Sequence, residues 1–123
     1  MIINGQKKAY KIDDKLFHCG IDVAMGLIGG KWKCVILYYL RNGTLRFSEI
    51  KELIPDITEK MLTMQLKSLQ TDQLVLRQEF GHKPPLRVEY SLTPLGNSLL
   101  PLITLIEDTG KKWGQRNGAI VDV

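Results

Sequence analysis

Residues 58–96 read TEKMLTMQLKSLQTDQLVLRQEFGHKPPLRVEYSLTPLG. Thr58 stands where a helix N-cap belongs, with the acidic Glu59 in the first turn. In the helix that follows, Leu62, Leu66, Leu69 and Gln73 recur on one side. At about 100° per residue, Lys60, Met64, Lys67 and Thr71 fall on the opposite side, flanked by Thr63. The pattern then changes period. Leu74–Phe80 is strand-like, and in Arg87–Leu92 the apolar Val88, Tyr90 and Leu92 alternate with Glu89 and Ser91. A Gly-Pro loop carrying His82 and Lys83 joins the two segments, which makes them a hairpin. Thr93-Pro94 opens another helix, with a cap residue followed by proline at the first helical position.

Upstream, Ile21, Ala24, Met25 and Ile28 form one helix face, interrupted by Gly29-Gly30. A second helix carries Trp32, Val35, Ile36, Tyr39 and Leu40 on one face, and Asn42-Gly43 ends it as a left-handed cap. Leu45-Arg46-Phe47 is a strand stub, Ser48–Leu53 a short helix, and Pro55-Asp56 a turn. The order is helix, helix, stub, helix, helix, hairpin, long helix. Two helices joined by a turn and followed by a β-hairpin describe an α+β, mostly helical, winged helix-turn-helix, with the hairpin as the wing. Within the last helix, Leu95, Leu99, Leu102 and Ile106 step by three or four, Trp113 follows seven residues on, and Leu100 and Ile103 widen the stripe. Pro101 should bend it.

The 123 residues suit one domain with its own core. The net charge of +4 permits an anionic partner without demanding one. Cys19 and Cys34 make no disulfide framework. Met1–Lys15 has no apolar core of a signal peptide, and no apolar run is long enough to span a membrane. The expectation is a cytoplasmic protein with both thiols reduced and no membrane association. Residues 1–18, with Lys7, Lys8, Lys11 and Lys15, read as a polar, basic, mobile arm that holds at most a short structured piece; 19–116 as the winged-helix domain with its long C-terminal helix; 117–123 as a tail.

The stretches CGIDVAMGLIGGKW, RFSEIKELIPDITEKMLTMQLKSLQTDQLV and RVEYSLTPLG closely resemble the HxlR family of transcriptional regulators. The likeness runs from about Cys19 to about Trp113. Leu27–Trp32 and Val88–Gly96 are specific as a pair, in this order and at this separation. The chain departs from the family pattern at Gly20, at Met64, and in a slightly longer wing tip around Pro85-Leu86. The resemblance implies a dimeric DNA-binding regulator whose N- and C-terminal helices build the dimer. Ile21, Met25, Leu99, Leu102, Ile103, Ile106 and Trp113 are the expected interface residues.

A recognition helix in the major groove offers side chains to base edges. Lys60 can donate to guanine O6 or N7, Thr63 can donate, accept or meet a thymine methyl, and Met64 offers an apolar contact. Lys67 suits a phosphate, as do Arg46, Ser48 and the backbone N–H groups at the start of their helix. On the wing, His82, Lys83 and Arg87 face phosphates or the minor groove. The plain alternative for each is a solvated surface residue. Double-stranded DNA bound as an inverted repeat is therefore the expected partner of a homodimer.

Cys19 opens the first helix of the resembling region, beside Lys15 and His18, and a helix N-terminus raises thiol reactivity. Some members of the family use a cysteine here to sense oxidants or electrophiles; the alternative is a small residue that only packs. Cys34, between Trp32 and Val35, reads as core, or else as a resolving thiol. Tyr38, Tyr39 and Trp32 are core residues on the same reading, or the lining of a small-ligand pocket. No cofactor, metal site or catalytic arrangement can be assembled from His18, His82 and the two thiols. The competing functions are a winged-helix interaction module without DNA binding, a regulator switched by a non-covalent ligand, and a thiol enzyme built on Cys19.

Overall fold

Threonine caps start two of the helices, and glycine ends α-helical or 3-10 segments at three places. The computed structural model describes residues 1–123. In it α1 (Gly20–Ile28) and α2 (Lys33–Tyr39) are separated at Gly29-Gly30, as the sequence requires. Gly30 has φ +87°, a conformation without penalty only for a residue lacking Cβ. After α2 a single 3-10 turn, Leu40–Asn42, ends at Gly43. That cap is not left-handed helical as expected. With φ +134° and ψ −171°, Gly43 occupies a region that is essentially glycine-only.

The chain continues through β5 (Leu45–Arg46), α3 (Phe47–Leu53) and α4 (Glu59–Thr71). Thr58 caps α4 as expected, its Oγ1 accepting from the Met61 N–H at 3.0 Å. Gln73, expected on the buried side of this helix, lies beyond its end in a left-handed conformation, φ +60°. There its carbonyl accepts from Thr93 Oγ1 at 2.6 Å, while Thr93 Oγ1 caps the next helix by accepting from the Gly96 N–H at 3.0 Å. One hydroxyl therefore fastens the end of α4 to the far end of the wing.

The wing is β6 (Val75–Phe80) antiparallel to β7 (Arg87–Leu92), with β5 on the other side of β7. Arg77 pairs with Tyr90, Gln78 with Glu89, and Phe80 with Arg87. Leu45 and Arg46 pair with Tyr90 and Glu89 from the other edge. Alternation of side chains across a strand then sorts the sheet. Arg77, Glu79, Tyr90 and Leu45 share the inner face; Phe80, Arg87, Glu89 and Arg46 share the outer one.

The single long C-terminal helix expected from the sequence is two, α5 (Pro94–Ser98) and α6 (Leu100–Asn117). Pro101 has no N–H to give and its ring crowds the carbonyl four residues back. The ladder tightens at Leu99, whose N–H donates to Gly96 O at 3.1 Å, and restarts at Leu100. Proline breaks the helix here rather than bending it.

Residues 1–18 also differ from the mobile arm that their polarity suggested. They form two hairpins, β1 (Ile2–Ile3) with β2 (Gln6–Lys7) and β3 (Tyr10–Ile12) with β4 (Lys15–Phe17). Asn4-Gly5 and Asp13-Asp14 all have positive φ, between 48° and 77°, the signature of the tight turns that match strand twist. Phe17 then packs on α1, close enough that a Cβ on Gly26 would lie 3.2 Å from its ring.

Ile36, Leu37, Leu40, Ile50, Leu62, Leu66, Leu69 and Leu74 are fully buried, with Ile103 of α6 closing one side and no buried polar side chain among them. No single helix is long and apolar enough to cross a membrane. The tightest junction is Gly96, where an added Cβ would run into the Leu74 carbonyl oxygen. Gly96→Ala is therefore expected to destabilise the chain by about 2 kcal/mol. The midpoint of urea unfolding should fall with little change in slope.

Candidate nucleic-acid interface

α4 is oriented by what it buries. Leu62, Leu66 and Leu69 are inside, so Lys60, Thr63, Met64, Lys67 and Thr71 stand in solvent. Neither Lys60 nor Lys67 is in an ion pair. Thr63 is more constrained than its composition suggested. Its hydroxyl donates to the Glu59 carbonyl at 2.9 Å, leaving oxygen lone pairs and a methyl group to face a partner. Gln65 turns aside, its Nε2 3.3 Å from Met61 Sδ.

Between α4 and the wing lies a cleft of about 400 Å³ lined by Thr63, Lys67, Gln70, Arg77 and Tyr90. Arg77 and Gln70 were not among the residues expected from sequence. Arg77 reaches the cleft because it pairs with Tyr90 in the hairpin, a register that alternation within one strand does not reveal. Its Nη1 lies 2.6 Å from Glu79 Oε1. That carboxylate, and after it the Tyr90 hydroxyl, push the guanidinium pKa above its ordinary value.

The outer wing face is also pre-arranged. The Arg87 guanidinium lies 4.9 Å from the centre of the Phe80 ring, with Nε 3.2 Å from Glu89 Oε1. Arg87 is thus a held cation, whereas His82 and Lys83 at the tip are exposed and outside any ion pair. Arg46 and Ser48 at the start of α3 are exposed as well. The backbone there is less available than expected, because the Arg46 N–H donates to Glu49 Oε1 at 2.9 Å.

Cys19 is the N-cap residue of α1 and is half-buried, but its thiol caps nothing. Asp22 holds the turn instead, accepting from the His18 N–H at 2.8 Å. Cys34 is half-buried, with Sγ 3.5 Å from Ile28 O, and burial pushes its thiol pKa up. It is less interior than a core residue, because it lines an open cavity with Tyr38 and Tyr39. Trp32, expected with those tyrosines, is not on that cavity; Lys31 lies over its ring at 4.6 Å.

Each of α1 and α6 carries an exposed apolar strip: on α1 Ile21 is 75% exposed and Met25 49%, and on α6 Leu105 and Trp113 are 64% exposed, Ile106 43% and Leu102 41%. Ile103, expected in this strip, is 2% exposed and belongs to the core, and Leu99 packs against that core. The register of α6 turns Ile103 inward, and Leu99 sits at the junction of α5 and α6.

A profile described as HxlR-like helix-turn-helix matches residues 27–118. The chain belongs to this family. It is 49% identical over 105 residues to the uncharacterized HTH-type transcriptional regulator YkvN of Bacillus subtilis, across 85% of this chain and 88% of that one. Among solved structures it is similar to the oxidized redox regulator HypR, with TM-score 0.71 and 38% identity, over 83% of this chain and all of that one. It is also similar to quinone-bound YodB from B. subtilis, with TM-score 0.62 and 32% identity, over 75% of this chain and 96% of that one.

The environment of Cys34 has a measurable consequence. A raised pKa lowers the thiolate fraction, and thiolate is the reacting species. Iodoacetamide at pH 7.5 should modify Cys34 of the folded chain about tenfold more slowly than in the urea-unfolded chain. Peptide mass mapping against time reads both rates. Equal rates would show that burial does not protect this thiol.

Proposed function

We propose that this HxlR-like helix-turn-helix regulator acts as a homodimer on an inverted-repeat operator. The supporting observation is the face of α4: two unpaired lysines, a threonine methyl and a methionine, set beside a cleft that ends on the wing. Lys60 donates to a guanine edge, Thr63 and Met64 contact thymine methyls, and Thr63 accepts from a base amino group. Lys67 and Arg77, on opposite walls of the cleft, clamp phosphates. His82 and Lys83 at the wing tip, with Arg87 behind them, meet the neighbouring backbone or minor groove. Arg46 and Ser48 add phosphate contacts at the start of α3.

The apolar strip of Ile21, Met25, Leu102, Ile106 and Trp113 is covered by a second copy. Isolated large apolar side chains are ordinary on a surface, but several of them along each of two helices mark an interaction face. A two-fold dimer presents its recognition helices one DNA turn apart, about 34 Å. Cys19 is the sensing residue in this reading, where an oxidant removes electrons from the thiol or an electrophile adds to sulfur. The likeness to a redox regulator and to a quinone-bound protein supports that assignment.

Salt-dependent binding separates the roles. Lys67→Ala should weaken binding to all duplexes and flatten the log K against log salt slope by about 1. An unchanged slope removes Lys67 from the phosphate contacts. Lys60→Ala should instead relax preference at one base-pair position, and a uniform loss across sequences would overturn its reading role. Fluorescence anisotropy with a panel of single-substitution duplexes measures both. Trp113→Glu should convert a particle of twice the chain mass into one of the chain mass, as read by analytical ultracentrifugation.

A further inference from the structure

A second cavity, of about 380 Å³, lies between α2 and α6, away from the cleft beside the wing. Its size falls in the range of roughly 300–1,000 Å³ typical of small-molecule sites. α2 supplies Cys34, Val35, Tyr38 and Tyr39, and α6 supplies Ile103, Ile106, Glu107 and Gly110; Ile106 is shared with the face that the second copy covers, so the cavity borders the proposed dimer seam. Tyr38 and Tyr39 meet edge to face, with ring centres 6.0 Å apart. Glu107 is the only carboxylic side chain on the wall. Its partner Lys111 is 3.9 Å away, and that lysine side chain is largely exposed. Such an i, i+4 surface pair is weak, so a ligand cation can replace Lys111. Arg41 is already engaged, stacked 3.7 Å over the Tyr38 ring and donating to the Tyr38 carbonyl at 2.8 Å.

We propose that this cavity is an effector site for a small aromatic cation. Two phenol rings and aliphatic walls accept a flat apolar body. The carboxylate of Glu107 orients the cationic end and disfavours an anion of the same shape. Burial pushes the Cys34 thiol pKa up, which lowers its thiolate fraction and its reactivity toward a bound ligand. The effector role rests on the DNA-binding reading above. The cavity joins α2, a core helix of the DNA-binding body, to α6, the helix that carries much of the apolar strip. A ligand wedged between them shifts α6, and with it the spacing of recognition helices in a dimer. Differential affinity for two such arrangements is what lets a ligand change DNA binding.

Calorimetric titration of the full chain with 2-naphthylmethylammonium and with 2-naphthoate tests the site without DNA. The cation should bind saturably and about tenfold or more tightly than the anion, a difference of about 1.4 kcal/mol. Glu107→Gln should bring the two probes to within about threefold of each other. A Cβ at Gly110 meets nothing within 4 Å, so Gly110→Leu can fold while its side chain fills the cavity, and it should abolish binding. Gly114, equally open and not on the cavity wall, is the control; Gly114→Leu should bind as the parent does. Absence of saturable binding, equal affinity for both probes, or full binding by Gly110→Leu would each overturn the site. Saturating cation should change affinity for an operator duplex at least about threefold in the parent but not in Gly110→Leu. A bound cation that leaves DNA affinity unchanged overturns the effector role. Failure to bind any DNA without the cation is a failure of the regulator reading, and the titration distinguishes it from a failure of the cavity.

Discussion

Leu62, Leu66 and Leu69 are fully buried on one side of α4, and the rest of the candidate interface depends on that. Burying each leucine stabilises by about 1.5–3 kcal/mol relative to leaving it in water. Rotating the helix by one residue, about 100°, would expose leucines and bury Lys60 or Lys67, a cost no surface contact could offset. The lysines therefore face outward because the leucines cannot. Surface chemistry on this helix is selected by core packing, and the two cannot vary independently.

The wing is placed by a different device. Thr93 Oγ1 joins the Gln73 carbonyl to the N-terminus of α5, so the strands leave and rejoin the body at one fixed point. The arginines on the two wing faces are each paired with a glutamate, Arg77 with Glu79 and Arg87 with Glu89. Exposed pairs of this kind contribute about 0–1 kcal/mol. They limit where the guanidinium groups point without holding them against a phosphate, whose neutralisation also releases counterions. Arginines restrained by weak pairs suit a backbone clamp better than freely moving ones, because less side-chain entropy is lost on binding.

The architecture was legible where one periodicity or one cap decided it. Thr58, Thr93-Pro94, the glycines after α1 and the alternation of Val88, Tyr90 and Leu92 each carry a local signal, and each appears in the structure as read. What escaped the sequence depended on pairing across elements. Arg77 enters the cleft only because hairpin register sets it opposite Tyr90. Ile103 shares the spacing of Leu102 and Ile106, and only the docking of α6 shows which of them turns inward. The N-terminal hairpins were missed although Asn4-Gly5 is a strong turn signal, because the flanking strands are two residues long and carry almost no pattern. Pro101 was recognised as a disruption, but a broken helix and a bent one differ by a few hydrogen bonds that composition does not resolve.

In the proposed dimer, two outward-facing α4 helices read two copies of one short sequence. Selection of binding sites from a random DNA pool with the reduced protein is the direct test. An inverted repeat should be enriched, with half-site centres about 10 base pairs apart, one helical turn. Enrichment of no motif, or of a single unpaired half-site, would contradict it.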